Sequence, residues 1–289
     1  MARVEVRKTY KLYVGGGFPR SESGHSYEVV DARGRFVANA ALASRKDVRD
    51  AVVAARKAFP GWMGRTAYNR GQILYRIAEV MEDRKPQFVQ AVQQSEGGTA
   101  GAAGRQVEAA IDRLVWYAGW ADKLAQVIGN QNPVAGPFFN LTSPEPTGVV
   151  GVLAPQESSL LGLVSVVAPV IVTGNTTVVV SSYARPLPAV TFAEVLATSD
   201  VPGGVVNLLT GDAATLGPWL AAHMDVNAID LAGVAGNTDL ATELEVGAAD
   251  NLKRVKRAAD AEPDYTVEPG ITGMTYFVES KTVWHPIGV

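Results

Sequence analysis

The spacing of apolar positions changes along the chain, and the changes divide it. Val48, Val52, Ala55 and Phe59 recur near every fourth residue, as do Ile73, Leu74, Ile77 and Met81. Val107, Ile111, Leu114, Val115, Ala118 and Leu124 form a third such stripe. That spacing gathers apolar side chains on one helical face. It predicts a helix from Ser44 to a break at Pro60-Gly61, a second ending near Pro86, and a third over 105–127. Ser44 followed by Asp47 gives the first helix an imperfect capping box. Ahead of these helices, short β patterns cover 11–14, 27–30 and 36–40, with Gly15-Gly16-Gly17 and Asp31-Ala32-Arg33-Gly34 as turns.

Further on the strands become apolar on both faces. They cover 149–153, 176–180, 205–209 and 228–231, with helices over 160–172, 189–198, 213–222 and 238–246. The alternation, with a period of roughly 25–30 residues, is βαβ succession and not a solenoid repeat. Strands buried on both faces and joined by helices make a parallel sheet with right-handed crossovers. The fold class is therefore α/β, a doubly wound, Rossmann-like parallel sheet. Residues 129–147 are rich in Gly, Pro and Asn, with a β pattern at 138–142, and read as a linker or a hairpin. The charged stretch 251–264 reads as a solvated helix end and linker. Residues 275–284 alternate with period two and predict a strand closed by Pro286.

Composition narrows the classes. At about 150 residues per domain, 289 residues make one large domain or two. With 47% hydrophobic and 19% charged residues the chain is no disordered segment. It has no cysteine, so disulfides, thiolate metal sites and a cysteine nucleophile are excluded. A net charge of -3 argues against a nucleic-acid or polybasic membrane partner. The apolar stretch 160–173 is too short to span a bilayer and contains Pro169. Residues 1–8 alternate in charge, unlike a secretory leader, so a cytoplasmic location is expected.

Ligands of a doubly wound sheet bind beyond the carboxyl ends of its strands. Those ends are 154–159, 181–186, 210–213 and 232–236. None carries a G-x-G-x-x-G or Walker loop. Gly233 and Gly236 suit either a phosphate approach to a helix start or an ordinary tight turn. Glu157 is either a general base or a carboxylate stabilising a helix dipole. His25, His223 and His285 lack metal-ligand spacing, and no metal is expected. The residues assemble no catalytic constellation.

The chain resembles the aldehyde dehydrogenase superfamily. The resemblance rests on Lys11 to Gly16, Ala43 to Val48, Ala51 to Phe59 and Pro146-Thr147-Gly148-Val149-Val150-Gly151-Val152. It continues in Ala168-Pro169, Gly174-Asn175-Thr176, Val201-Pro202-Gly203-Gly204-Val205-Val206-Asn207 and Thr210-Gly211, and 276–284 is similar to the family's C-terminal strand. It implies an aldehyde dehydrogenase nucleotide-binding domain over 1–128 and 148–262. An oligomerisation hairpin and strand over 129–147 and 270–289 complete the chain.

The departures carry equal weight. The family's Trp-Asn pair is Gln156-Glu157 here, so the asparagine that helps stabilise the oxyanion becomes a carboxylate that repels it. The Lys-Pro-Ser-Glu that holds the adenosine ribose is Val180-Ser181-Ser182-Tyr183. The Phe-Thr-Gly-Ser turn is Leu231-Ala232-Gly233-Val234, retaining only Gly233. Glu157, Val180, Ser182, Tyr183 and Gly233 are thus degenerate cofactor positions, and no cofactor is expected on this chain. The catalytic domain, with its glutamate base and cysteine nucleophile, has no room after Val246, and no catalytic residue is assigned. The resemblance implies that the terminal strand, with Tyr276, Phe277, Val278, Val283 and Trp284, pairs with a neighbour's catalytic domain. A twin of this chain has none to offer. The expectation is a non-catalytic subunit, a pseudoenzyme, that hetero-oligomerises with a full-length aldehyde dehydrogenase carrying NAD(P), and stabilises or tunes it. The alternatives are a degenerate dinucleotide sensor, or an oxidoreductase that acts on aldehydes only within a complex.

Overall fold

The computed structural model describes Val4 and residues 8–288. The remaining N-terminal residues, where a leader was argued against, lie outside the described residues. A hairpin of β1 (Ser26–Val30) and β2 (Phe36–Ala41) opens the chain. Helix α1 (Arg45–Met63) follows, and its capping box is complete: Ser44 Oγ accepts from the Lys46 and Asp47 amides, and Asp47 returns a carboxylate oxygen to Ser44 N at 2.8 Å. The helix runs through Pro60-Gly61, where a stop was expected. Its last turn is held by Trp62, which is buried and donates Nε1–H to Ile171 O at 2.9 Å. That anchorage outweighs the one helical bond proline forfeits.

Helix α2 (Ala67–Asp83) is followed by α3 (Lys85–Glu96), which the pattern did not announce. Pro86 sits in its first turn, where a missing N–H costs nothing, so it starts a helix instead of ending one. Helix α4 (Ala100–Trp120) begins on a Thr99 cap, and a break separates it from α5 (Leu124–Ile128), so the expected 105–127 helix is two. Strands β3 (Asn130–Gln131) and β4 (Phe138–Pro146) then lie antiparallel.

The parallel sheet comes next. It alternates β5 (Val149–Leu153), α6 (Leu161–Val172), β6 (Thr176–Val180), α7 (Leu187–Leu196), β7 (Val206–Leu209), α8 (Ala213–Ala221), β8 (Ala228–Asp230) and α9 (Thr238–Ala249). It ends with β9 (Arg254–Lys256), and the spatial order is β7-β6-β5-β8-β9. This is the expected doubly wound α/β sheet. Val150, Val152 and Val179 pack on α2, α4, α6 and α7. Val149, Leu153, Val178 and Val180 face α1, α8 and α9. Such burial on both faces explains the unbroken apolar runs.

Two tail readings change. The charged stretch expected to be linker contains β9, which pairs in parallel with β8. Asp230 on β8 is buried, and Lys256 on β9 meets it at 2.9 Å. A buried carboxylate needs a partner, so the lysine is part of the sheet and not of a solvated face. The terminal strand starts later than its pattern suggests: Thr272–Thr275 form α10, and β10 is Val278–Pro286. β10 lies antiparallel to β4 over its whole length, in a three-stranded sheet of order β10-β4-β3.

His223, after α8, accepts a bond at Nδ1 from Asp225 N at 3.2 Å, and burial pushes its pKa below the usual histidine value. The unfolded chain therefore takes up this proton first, and stability falls as pH drops below about 6.5. The loss is complete once pH passes the lower folded-state pKa. Urea unfolding across this range should show that acid-side slope, reduced in His223→Gln.

Candidate functional site

The ends of β5, β6 and β8 converge on the loop 154–160. Buried Ser182 donates Oγ–H to Gln156 O at 2.9 Å and accepts from Arg185 N at 3.2 Å. The Gln156 side chain donates to Ala154 O at 2.7 Å and accepts from Tyr183 N at 3.1 Å. The loops after β5 and β6 are thus laced by their own polar groups.

Glu157, weighed as a general base or a helix-dipole carboxylate, lies at the surface. Its side chain is 71% exposed and pairs with Arg185 Nη2 at 2.6 Å, while Arg185 Nη1 reaches Glu157 O at 2.6 Å. The carboxylate thus faces solvent and its arginine partner and not a closed reaction centre. It also precedes α6 by several residues and caps no helical amide.

Val180 closes β6 between Leu153 and Leu209, wholly buried among apolar neighbours. Tyr183 stacks on Tyr27 of β1, with ring centroids 4.5 Å apart and planes at 17°, and its carbonyl accepts from the Tyr27 hydroxyl at 3.0 Å. Burial, then the neighbouring Tyr183, drives the Tyr27 phenol upward. Gly233 lies in a single 3-10 turn (Ala232–Val234) pressed against the end of β5. A Cβ there would stand 2.1 Å from Ala154 O. Gly236 N–H is taken by Ala259 O at 3.0 Å, and Asn237 caps α9. The two glycines fit chain against chain, the tight-turn reading.

Two carboxylates unseen in the pattern complete the site. Glu262 accepts from the backbone amides of Gln156, Glu157 and Ser158 at 2.9, 3.0 and 2.7 Å. Glu96, ending α3, accepts from Ser159 N at 2.7 Å and Ser159 Oγ at 2.6 Å. Neither is near the loop in sequence, and Glu262 stood in a charged run read as linker. Among the described residues no three His, Asp or Glu cluster with metal-binding geometry, and no helix is long and apolar enough to cross a membrane.

At the other end, the suggested interface residues divide. Phe277 and Val278 are covered by the chain itself, and Phe277 O accepts from buried Asn175 Nδ2 at 2.8 Å. Tyr276, Val283 and Trp284 are exposed. Trp284 meets Phe138 edge-on at 5.7 Å, and Arg254 and Glu279 join β9 to β10 through two bonds of 2.6 Å. Among the described residues, nothing pairs with the outer edge of β10.

The profile of the aldehyde dehydrogenase family matches residues 18–261. The chain belongs to the aldehyde dehydrogenase family. An aldehyde dehydrogenase of Alternaria alternata is 32% identical over 256 residues, 87% of this chain and 50% of that protein. Cytosolic aldehyde dehydrogenase 1 of Elephantulus edwardii is 31% identical over 285 residues, 93% of this chain and 55% of its own length. The structure of a Bacillus cereus aldehyde dehydrogenase in complex with NAD+ superposes with a TM-score of 0.80 at 25% identity, covering 86% of this chain and 50% of that one. The chain thus spans about half the length of these family members.

Proposed function

We propose that this chain is a non-catalytic member of the aldehyde dehydrogenase family that docks on a full-length, NAD(P)-bearing aldehyde dehydrogenase in the cytoplasm and stabilises or tunes it. The observation that carries the reading is the open outer edge of β10. An unpaired strand flanked by exposed apolar side chains is a template for strand addition and an aggregation hazard when left bare. β4 satisfies one edge of the strand; the other awaits a sheet. A full-length relative supplies one in its catalytic domain.

The chemistry of the chain agrees. With no cysteine it has no thiol to attack an aldehyde carbonyl. The residues at the cofactor positions do not fit a dinucleotide, because Gln156, Ser182 and Tyr183 spend their polar groups on one another and Glu262 holds the loop amides. This disfavours the sensor reading. Titration calorimetry with NAD and NADP should give no binding heat at low millimolar cofactor, and a saturable isotherm would restore that alternative.

The deciding experiment co-expresses the tagged chain with an untagged full-length aldehyde dehydrogenase from the same cell. Co-purification in fixed stoichiometry is expected. A stable soluble monomer with no affinity for such an enzyme, or a homodimer closed along β10, overturns the proposal.

A further inference from the structure

The segment after β9 crosses the carboxyl ends of the sheet as a strap, and three anchors hold it. Ala259 O accepts from Gly236 N at 3.0 Å. Glu262 receives the amides of Gln156, Glu157 and Ser158. Arg113 on α4, buried, donates Nη2–H to Tyr265 O at 2.6 Å and Val267 O at 2.9 Å, and Nη1–H to Ser165 Oγ at 2.8 Å. The strap arrives from β9 and leaves towards α10, so both of its ends are tied into the fold.

Three consecutive amides pointing at one carboxylate form an anion-binding concavity. It lies beyond a parallel strand, where open α/β sheets bind their ligands. Charge-assisted bonds of this kind are about twice as strong as neutral ones. The occupant is a side chain of the same molecule, delivered at high effective concentration by a strap fixed on both sides of it. A free anion must compete with that.

We infer that the loop 156–158 is a receptor for a small oxyanion, a carboxylate or a phosphate, which the chain closes against itself with Glu262. The contact is autoinhibitory: the strap excludes anions from the end of β5 while it stays seated. This does not depend on whether the chain meets a partner.

The test is an amide ¹H–¹⁵N titration of the full chain with inorganic phosphate and, separately, sodium acetate at constant ionic strength. In the wild type the Gln156, Glu157 and Ser158 signals should stay still at low millimolar anion. In Glu262→Gln, which keeps one oxygen acceptor but loses the charge, they should move and saturate at a concentration at least ten times lower than any wild-type response. Movement with both anions marks a general oxyanion receptor. Movement with phosphate alone marks one shaped for a tetrahedral group. Equal responses in the two proteins, or none in a folded Glu262→Gln, overturn the inference. Should the variant fail to fold, hydrogen exchange in the wild type decides. The three amides must be protected and must open together with Gly236 N, which the strap also holds. Exchange at the rate of a free loop refutes the contact.

Discussion

Gly233→Ala is expected to destabilise the chain by about 3 kcal/mol, the upper range for forcing extra atoms into a packed interior. For a chain of this size that lowers Tm by roughly 6–10 °C. The added Cβ would sit 2.1 Å from Ala154 O and 2.8 Å from Leu153 O, both backbone atoms at the end of a central strand. Neither can swing aside like a side chain. Relief requires moving the 3-10 turn off the sheet, which also drags the Asp230–Lys256 pair and the cap of α9. Differential scanning calorimetry measures the effect. Gly236→Ala is the control: its φ of +74° makes it a strained site, but the nearest atom to the added carbon is Asp260 O at 3.1 Å. That change should cost about 1 kcal/mol. A glycine kept for phosphate approach would behave in the opposite way, with stability unchanged on substitution and only ligand binding altered. A Gly233→Ala chain as stable as the wild type would therefore return this position to the ligand reading.

The strands of the parallel sheet were legible because burial on both faces leaves no polar position to disguise them, as in Val149–Leu153 and Thr176–Val180. β9 was hidden for the converse reason. Lys256 looks like solvent-facing charge, and only the fold shows that it neutralises Asp230, 26 residues away. Pro60 and Pro86 misled because proline punctuation is local, while Trp62 and the first-turn position of Pro86 decide the outcome. The site was legible as a place and not as a set of contacts. Arg185, Glu96 and Glu262 reach the 156–159 loop across 28, 63 and 104 to 106 residues, and no spacing rule signals such pairs. The family resemblance named Glu157, Val180, Ser182 and Tyr183 as altered positions and Gly233 as the one residue retained in an altered turn. What replaced the lost contacts is a closed set of bonds within the chain, and one sequence does not show that closure.

Proline substitutions along β10 should separate folding from docking by parity. Adjacent residues of a strand point their N–H groups to opposite sides, so of Val283 and Trp284 one donates towards β4 and the other towards the open edge. They lie opposite Leu141 and Asn140 in the register. Proline at the position facing β4 removes a ladder bond within the chain and lowers its Tm. Proline at the position facing outward leaves the three-stranded sheet intact and removes the donor a partner strand would need. The partner's carbonyl is then left without its donor, a loss of about 1–3 kcal/mol, so capture of the full-length enzyme should weaken roughly five- to 150-fold. Surface plasmon resonance on the two variants, paired with their melting curves, reads both quantities. The outward variant should melt like the wild type and bind more weakly by that factor. Trp284 is 58% exposed, so a docking mode that used side chains on the sheet face would instead respond to Trp284→Ala and ignore proline parity. Binding that survives proline at both positions would mean that the partner does not extend this sheet.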